Sequence, residues 1–550
     1  MDVLPLDLLF RVAVVAALAI SLGGVFLLGG GGTLGATLRR RFVLGVPWGT
    51  LVSTGLVLAV YLFVQGGYGN WYSPVTIPFR AWSYFYPLGI LTAAFSHNGA
   101  GHLIGNLVGT LTLAPLAEYA WSHFPRERGT HSFSSLQTNP FVRAFLLFPL
   151  AVFGVGLLTS AFALGPIIGF SGVVFAFAGA ALVAYPLGTV IALAAGGLLR
   201  LVYNALRSPV LTASGRPGYI SPWWADIAIQ GHALGLLIGV LIGVAIVRAG
   251  PRADRPSARR LWLGTLLFGA EQSLWAVYWY RGGETYVLYR ALGVVLVAFL
   301  ALVVAAVVVG RDDPLFSWDI RLDSGVVERW HIAAGVLLLV TAALAGPAVP
   351  ANLFTADTGD LPGDERTVRD YEVTYAENVQ NGLVSVIEVE AFGETTAVNT
   401  SGVIVRSEDR GIWTTAVPKG RLAFAGQVPV RVGGIGWRQT VYAQRDGWNV
   451  LGNGTAYRVA LGEADSAEIV YTSKPVQAGP QLAGRNVTVV PETDQYYIQV
   501  EHENQTLSAG LPAKNESVTV GGLTFRRNRS EVYVSYGQTR LRLLTEETYQ

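Results

Sequence analysis

Long apolar segments recur along the first 350 residues, and each approaches the length needed to cross a bilayer as a helix. A spanning helix needs about 20 predominantly apolar residues. The first segment lacks the basic start and small-residue cleavage site of a signal peptide, so we expect it to remain as a helix. The pattern predicts about ten membrane helices, at 8–30, 43–64, 101–122, 141–164, 168–185, 187–206, 225–248, 260–280, 286–310 and 328–348.

After about residue 350 the pattern changes to short segments in which apolar and polar residues alternate, such as "EVYVSY". A period of two residues is typical of half-buried strands. We therefore predict an all-β domain over 351–550, with a sandwich as the expected architecture. Six N-x-Ser/Thr sequons lie in it and none in the membrane part, which fits an external domain. The candidate glycosylation sites are Asn399, Asn453, Asn486, Asn504, Asn515 and Asn528.

Composition supports a membrane protein, because 51% of the residues are hydrophobic and only 14% are charged. Soluble domains carry about 25% charged residues. The absence of cysteine excludes disulfides and thiolate metal sites. No metal site is predicted. No phosphate loop, nucleotide fingerprint or basic nucleic-acid surface is present, so we expect the lipid bilayer, and no nucleic acid, as a partner.

Arginine placement predicts the orientation. Arginines cluster after the first predicted helix and again around the connection after the seventh, and this helix count puts both clusters on one side of the membrane. The positive-inside rule makes that side the inner one. We therefore expect a multi-pass protein of the cell membrane, with the N-terminus and the β domain outside. The clusters are Arg39, Arg40 and Arg41, and Arg248, Arg252, Arg255, Arg259 and Arg260.

The third predicted helix carries polar residues near its outer end. His102 and Asn106 are four residues apart and share one helix face, while His97 lies just before the helix. Polar residues inside membrane helices are costly and often functional. The alternative is that they only form hydrogen bonds between helices.

The fifth and seventh helices supply a serine and a histidine. Ser171 lies in the first turn of the fifth helix, between Gly169 and Gly172. Either these three small residues form a packing surface, or Ser171 is a nucleophile. On the seventh helix, Gly235 and Gly239 share the face of His232 and permit close approach of another helix. Gly231 precedes this histidine directly.

Topology brings these groups to one depth. Asn106, Ser171 and His232 each lie a few residues below the outer end of their helix, on the order of 5–11 Å at about 1.5 Å per residue. His232 can serve as the base that activates Ser171. The Ser171 backbone N–H, the Asn106 amide and the His102 ring N–H can hold an oxyanion. Asp226 is about 240° from His232 around the helix, so we expect a Ser–His dyad.

At these residues the sequence resembles the rhomboid family of intramembrane serine proteases. The resemblance rests on three motifs in family order on alternate helices, and it covers about 43–248, a six-helix core. The motifs are His-x4-His-x3-Asn at His97, His102 and Asn106, Gly-x-Ser-Gly at Gly169, Ser171 and Gly172, and His-x2-Gly-x3-Gly at His232, Gly235 and Gly239.

The resemblance implies a serine endopeptidase that cleaves transmembrane proteins in or near their membrane segments, without a cofactor. It makes Ser171 the nucleophile, His232 the general base, and His102 and Asn106 oxyanion-hole partners, with His97 in a supporting role. The alternative is a catalytically inactive scaffold that binds transmembrane clients. One departure concerns the Trp-Arg pair of many family members: here Arg80 and Trp82 stand in another arrangement, so loop anchoring is expected to differ.

Four segments follow from this sequence: an extra N-terminal helix with its inner loop at 1–42, the core at 43–248, three added helices at 249–350 and the β domain at 351–550. The partner of the β domain is not identified by the sequence. We expect Glu271 and Gln272 in mid-helix to make a structural or interhelical bond, and Glu118 to cap packing at the inner end of the third helix. The remaining histidines are expected to have no catalytic role; they are His123, His131, His331 and His502.

Overall fold

The computed structural model shows a helical region followed by a β region. It describes residues 6–28, 32–124, 130–210, 217–225, 227–249, 255–310, 321–322, 325–326, 328–353, 363–384, 390–391, 393–452, 454–503 and 505–550. The helices are α1 (Leu6–Leu28), α2 (Gly32–Arg41), α3 (Trp48–Ala59), α4 (Pro87–Ala93), α5 (Ala100–Trp121), α6 (Pro140–Val142), α7 (Phe148–Phe162), α8 (Ser171–Ala184), α9 (Pro186–Arg207), α10 (Ile229–Arg248), α11 (Ala258–Glu271), α12 (Arg290–Val309), α13 (Arg329–Ala345), α14 (Ala348–Leu353) and α15 (Lys419–Ala425).

Each of the ten predicted membrane segments contains a helix. Among the described residues, seven helices are long and apolar enough to span a bilayer: Leu6–Val25, Ala100–Trp121, Pro140–Phe162, Pro186–Arg207, Ile229–Arg248, Arg290–Val309 and Arg329–Leu353. Two more are apolar but shorter, Trp48–Val64 and Ser171–Ala184. The remaining predicted segment, 260–280, contains α11, which ends at Glu271. The first strand of a β-hairpin begins before residue 280, where the predicted helix was to end.

Helix α8 is the centre of the helical region. Every residue from Gly172 to Val183 is buried, and a helix that is apolar on all sides needs neighbours on all sides. It packs against α5, α7, α9 and α10. The closest of these neighbours is α10, which carries His232. Ser171 is the half-buried first residue of this otherwise buried helix.

Glu118, near the end of α5, caps the start of a neighbouring helix. Its carboxylate accepts hydrogen bonds from the backbone N–H groups of Gly49 and Thr50 at the start of α3, both at 2.8 Å. Free N–H groups at a helix start need such acceptors. His123 Nε2 lies 2.6 Å from the same carboxylate, and its Nδ1 accepts from Val43 N at 3.0 Å. Glu118 and His123 thus join three segments at the end of the bundle remote from Ser171.

The strands begin with two short hairpins between helices and continue through the C-terminal region. They are β1 (Tyr278–Gly282), β2 (Thr285–Leu288), β3 (Arg321–Leu322), β4 (Gly325–Val326), β5 (Glu365–Val368), β6 (Tyr371–Gln380), β7 (Glu390–Ala391), β8 (Glu394–Thr395), β9 (Asn399–Ser407), β10 (Ile412–Pro418), β11 (Gln427–Gly434), β12 (Trp437–Val450), β13 (Thr455–Glu463), β14 (Ser466–Thr472), β15 (Val476–Leu482), β16 (Arg485–Pro491), β17 (Tyr496–His502), β18 (Gln505–Gly510), β19 (Ser517–Val520), β20 (Leu523–Asn528), β21 (Glu531–Tyr536) and β22 (Thr539–Glu546).

The C-terminal region is all-β, as predicted, and consists of several antiparallel sheets. One has the order β10-β9-β6-β5, and another has the order β15-β16-β17-β18. Between them runs a long sheet of order β14-β13-β12-β22-β21-β20-β19, with β11 on β12. Apolar side chains form two cores, one shared by β6, β9 and β11–β14, and one shared by β15–β17 and β20–β22. A single sandwich is therefore too simple a description of this region.

The β region rests on the loop between α3 and α5. Ile77 and Trp82 of that loop pack into the first β core. Arg438 Nη1 donates to the carbonyl oxygen of Ser73 at 3.1 Å, and Arg410 Nη1 donates to the Tyr86 hydroxyl at 3.2 Å. The β region is therefore docked against the same loop that leads to His97.

Candidate active site

Ser171 and His232 meet across the contact between α8 and α10. His232 Nε2 lies 2.8 Å from Ser171 Oγ, within hydrogen-bonding distance. Ser171 is the first residue of its helix and His232 is the fourth of its own. The predicted helix start at 168 is therefore three residues early, while the predicted pairing of serine and histidine is present in the structure.

The glycine face of α10 allows this close approach. A Cβ at Gly235 would lie 2.0 Å from the carbonyl oxygen of Gly172, and one at Gly239 would lie 2.0 Å from that of Ala176. On the other helix, a Cβ at Gly179 would lie 2.2 Å from the Leu236 carbonyl oxygen. Backbone faces backbone at all three positions, so none tolerates a side chain without movement. The same glycines therefore allow both the helix packing and the contact between Ser171 and His232.

Phe175 fixes the plane of the His232 ring. The two rings stack with centroids 4.3 Å apart and planes inclined by 14°. Phe175 lies four residues after Ser171, one helical turn further along the same face. The sequence analysis missed this residue, although its spacing from the serine was a usable signal.

No carboxylate completes a triad among the described residues. His232 Nδ1 is buried and has no hydrogen-bond partner there. Asp226, expected to face elsewhere, lies outside the described residues. The described geometry is that of a dyad.

His102 and Asn106 lie beside the chain segment that precedes Ser171. A Cβ at Gly169 would lie 2.7 Å from His102 Nε2 and 3.6 Å from Asn106 Nδ2. Gly169 has φ of +130°, a conformation that side chains rarely adopt, and its N–H donates to the Ala93 carbonyl at 2.9 Å. The Asn106 Nδ2 group is buried without a hydrogen-bond partner among the described residues. An unpaired buried donor beside the segment that leads into Ser171 is the kind of group that an oxyanion hole requires.

His97 is fully buried beside His102, with ring centroids 5.1 Å apart. Its backbone is held on both sides by Gln65: His97 N donates to Oε1 at 2.7 Å, and Nε2 donates to the His97 carbonyl at 2.9 Å. The sequence analysis did not identify Gln65, because 32 residues separate it from His97. Both ring nitrogens of His97 lack a hydrogen-bond partner among the described residues. His97 therefore supports His102 by ring contact.

Arg80 and Trp82 anchor the loop that carries this histidine. Arg80 Nη2 donates to Asn98 Oδ1 at 2.8 Å, and Nη1 donates to the Pro166 carbonyl at 3.3 Å. The buried Trp82 donates its Nε1–H to the Ile77 carbonyl at 2.6 Å. Arg80 thus ties the loop to the segment that leads into Ser171.

The other singled-out residues lie away from this cluster. His123 is in the Glu118 network, His331 caps α13 with Glu328, and His502 is on β17. The side chain of His131 lies outside the described residues. Glu271 is the exposed last residue of α11 rather than a mid-helix residue, and no hydrogen bond of its side chain is present in the described part of the chain. The expected mid-helix bond is therefore wrong for Glu271.

Four sequon asparagines can be placed in the β region. Asn399, Asn515 and Asn528 are exposed and Asn486 is half-buried. Asn453 and Asn504 lie outside the described residues. In the described part of the chain no group of three or more His, Asp or Glu residues is arranged to hold a metal ion.

Comparison with known proteins matches one family. The family model described as Rhomboid domain matches residues 84–249, which include α5 to α10 and the residues His97, His102, Asn106, Ser171 and His232. The match begins after α3, so it is shorter than the predicted core of 43–248. No curated protein and no solved structure matches the chain.

Proposed function

We propose that this chain, whose residues 84–249 match the Rhomboid domain model and which has several helices able to span a membrane, is an intramembrane serine endopeptidase with a Ser171–His232 dyad. The observation that supports this most is the 2.8 Å separation of His232 Nε2 and Ser171 Oγ, because an activated serine needs a base within hydrogen-bond reach. Its substrates are transmembrane proteins, cut in or near their membrane segments. No cofactor takes part.

In the proposed reaction, His232 Nε2 takes the proton of Ser171 Oγ as the oxygen attacks the scissile carbonyl carbon. The tetrahedral oxyanion is stabilised by donors of Asn106, His102 and the Ser171 backbone. Protonated His232 then gives its proton to the leaving amine, and an acyl-enzyme ester forms. Water, deprotonated by His232, hydrolyses the ester and regenerates the serine.

In this proposal, the end of the helical region that holds Ser171 and His232 faces the outside of the cell membrane. Arg11, near the start of α1, donates to the Arg207 carbonyl at 3.2 Å, and Arg207 donates to the Tyr72 hydroxyl at 3.1 Å. These bonds put the start of α1 at the same end as the loop under the β region. The arginine clusters favour the opposite end as cytoplasmic. The N-terminus and β region are therefore proposed to lie outside the cell membrane.

An inactive scaffold that binds transmembrane clients is the second candidate. A serine-reactive fluorophosphonate separates the two functions. We expect the wild-type protein to gain one adduct at Ser171, located by mass spectrometry, and Ser171→Ala to gain none. Ser160→Ala is the matched control, because Ser160 is a buried serine of α7 without a hydrogen-bond partner among the described residues. Absence of an adduct in folded wild-type protein would favour the scaffold.

A further inference from the structure

A polar cleft of about 410 Å³ lies between the loop before α5 and the β region. The loop contributes Tyr72, Arg80 and Asn98, and the β region contributes Thr415, Arg421 and Arg431. Neither part forms the cleft alone. The cleft therefore exists because the β region is docked on this loop.

The cleft carries positive charge that lacks an acidic partner in the described part of the chain. Its described lining includes three arginines and no carboxylate. Arg410, Arg445 and Arg458, elsewhere in the β region, are each paired with an acidic side chain. No such ion pair is present for Arg421 or Arg431 among the described residues.

The surroundings of Arg431 favour an anionic ligand. Burial first, and then the positive charges of Arg438 and Arg421, lower the pKa of the Arg431 guanidinium. Glu284, an acid beside Gly420, instead accepts a hydrogen bond from the Tyr219 hydroxyl at 2.5 Å. An anion in the cleft would offset this repulsion, and its charge-assisted hydrogen bonds to guanidinium groups are stronger than neutral ones.

Two strand edges border the same cleft. Among the described strands, β10 pairs only with β9, and β11 pairs only with β12. The lining includes Thr414 to Val417 of β10 and Val428 to Arg431 of β11. Edge strands leave backbone N–H and C=O groups without a ladder partner, and an extended peptide can pair with them.

The cleft is connected to the catalytic residues through Arg80. This arginine lines the cleft and donates to Asn98, the neighbour of His97, and to the carbonyl of Pro166. Pro166 lies five residues before Ser171 in the sequence. A chain held in the cleft thus lies against the segment that leads to the nucleophile.

We propose that this cleft binds an extended acidic segment of the substrate, next to the membrane span that Ser171 cleaves. This inference rests on the proposed protease function. The arginines select acidic side chains, and the edges of β10 and β11 hold the extended backbone. The β region therefore acts in substrate selection.

Binding can be measured without cleavage. The full-length Ser171→Ala protein is placed in phosphatidylcholine nanodiscs, and fluorescence anisotropy records binding of a fluorescein-labelled peptide of alternating Glu and Ser. A peptide with Gln in place of Glu is the reference. We expect the Glu peptide to bind at least tenfold more tightly at low salt, with the preference falling as salt rises.

Adding Arg421→Gln and Arg431→Gln together is expected to remove that preference. Adding Arg526→Gln instead is the matched control, because Arg526 is an exposed arginine of β20, far along the chain from the cleft strands. Equal binding of the two peptides, or a preference that survives the double substitution in folded protein, would overturn the proposal. The proposal would also be overturned if the protein retained phosphatidylglycerol in a way that depends on Arg421 and Arg431 and showed no preference between the peptides. The cleft would then bind a lipid headgroup.

These results are independent of the nucleophile. Loss of the peptide preference while Ser171 still reacts with fluorophosphonate rejects only the cleft. A peptide preference in a protein whose Ser171 does not react supports the cleft and rejects the protease. The two proposals therefore fail separately.

Discussion

Replacing His232 by alanine is expected to lower kcat/KM for a cleaved membrane substrate by about 10,000-fold. His232 Nε2 is 2.8 Å from Ser171 Oγ, and no other titratable ring lies at hydrogen-bonding distance from this hydroxyl among the described residues. Without this base the serine keeps its proton and remains a weak nucleophile. The rate is measured with purified protein and a tagged single-pass substrate in liposomes.

The matched control is His502→Ala, which removes a half-buried histidine of β17 outside the helical region. It is expected to retain wild-type activity. His232→Ala also loses the stacking on Phe175, which is worth about 0.5–1.5 kcal/mol for an aromatic pair. Thermal unfolding should therefore change little while activity falls. Activity of His232→Ala within threefold of wild type would argue that the dyad is not the catalytic unit.

Gly235→Ala is expected to lower kcat/KM by about 100-fold, although residue 235 touches no reacting atom. The new Cβ would lie 2.0 Å from the Gly172 carbonyl oxygen, so α8 and α10 must move apart. That movement lengthens the Ser171–His232 distance, and overpacking costs about 1–3 kcal/mol of stability. Cleavage rate and thermal unfolding are both measured.

Gly231→Ala separates this effect from helix propensity. It adds the same methyl group on the same helix, but its Cβ would have Ala163 Cβ at 3.8 Å as its nearest neighbour, an ordinary contact. We expect near wild-type activity from Gly231→Ala. If Gly235→Ala behaved in the same way, the close glycine contact would not be what positions the base.

Much of the helical region and the candidate site could be predicted from local sequence. Membrane helices follow from apolar length, and His102, Asn106, Ser171 and His232 stand out because polar residues are rare in such segments. Their convergence followed from helix order alone. The three-residue error at the start of α8 arose because Gly169, with φ of +130°, keeps the preceding segment out of the helix.

Features that depend on distant contacts could not be predicted. Gln65 acts through contacts with His97, 32 residues away, and no local pattern marks such a partner. Phe175 is different, because its position one helical turn after Ser171 was a usable signal. The hairpin of β1 and β2 was missed, because the predicted helices 260–280 and 286–310 included 278–280 of β1 and 286–288 of β2. Its turn residues Gly282 and Gly283 both have a positive φ, and this double glycine was the signal for a tight turn between the two predicted helices.

The docking of the β region on the loop before α5 also could not be predicted from the sequence pattern. Alternation identified strands, but it gave no indication that Ile77 and Trp82 of a membrane-side loop belong to the β core. The cleft formed by that docking depends on residues more than 300 positions apart, such as Arg80 and Arg431. Such a surface becomes visible only once both regions are placed together.

The most direct test of the protease proposal is cleavage by purified protein in liposomes, with a panel of tagged single-pass membrane proteins as substrates. We predict that wild type and Ser160→Ala release the same fragment from at least one member of the panel, cut in or near its membrane segment. Ser171→Ala should release none while retaining the wild-type unfolding temperature. Equal release of that fragment by Ser171→Ala would contradict the assignment of Ser171 as the nucleophile.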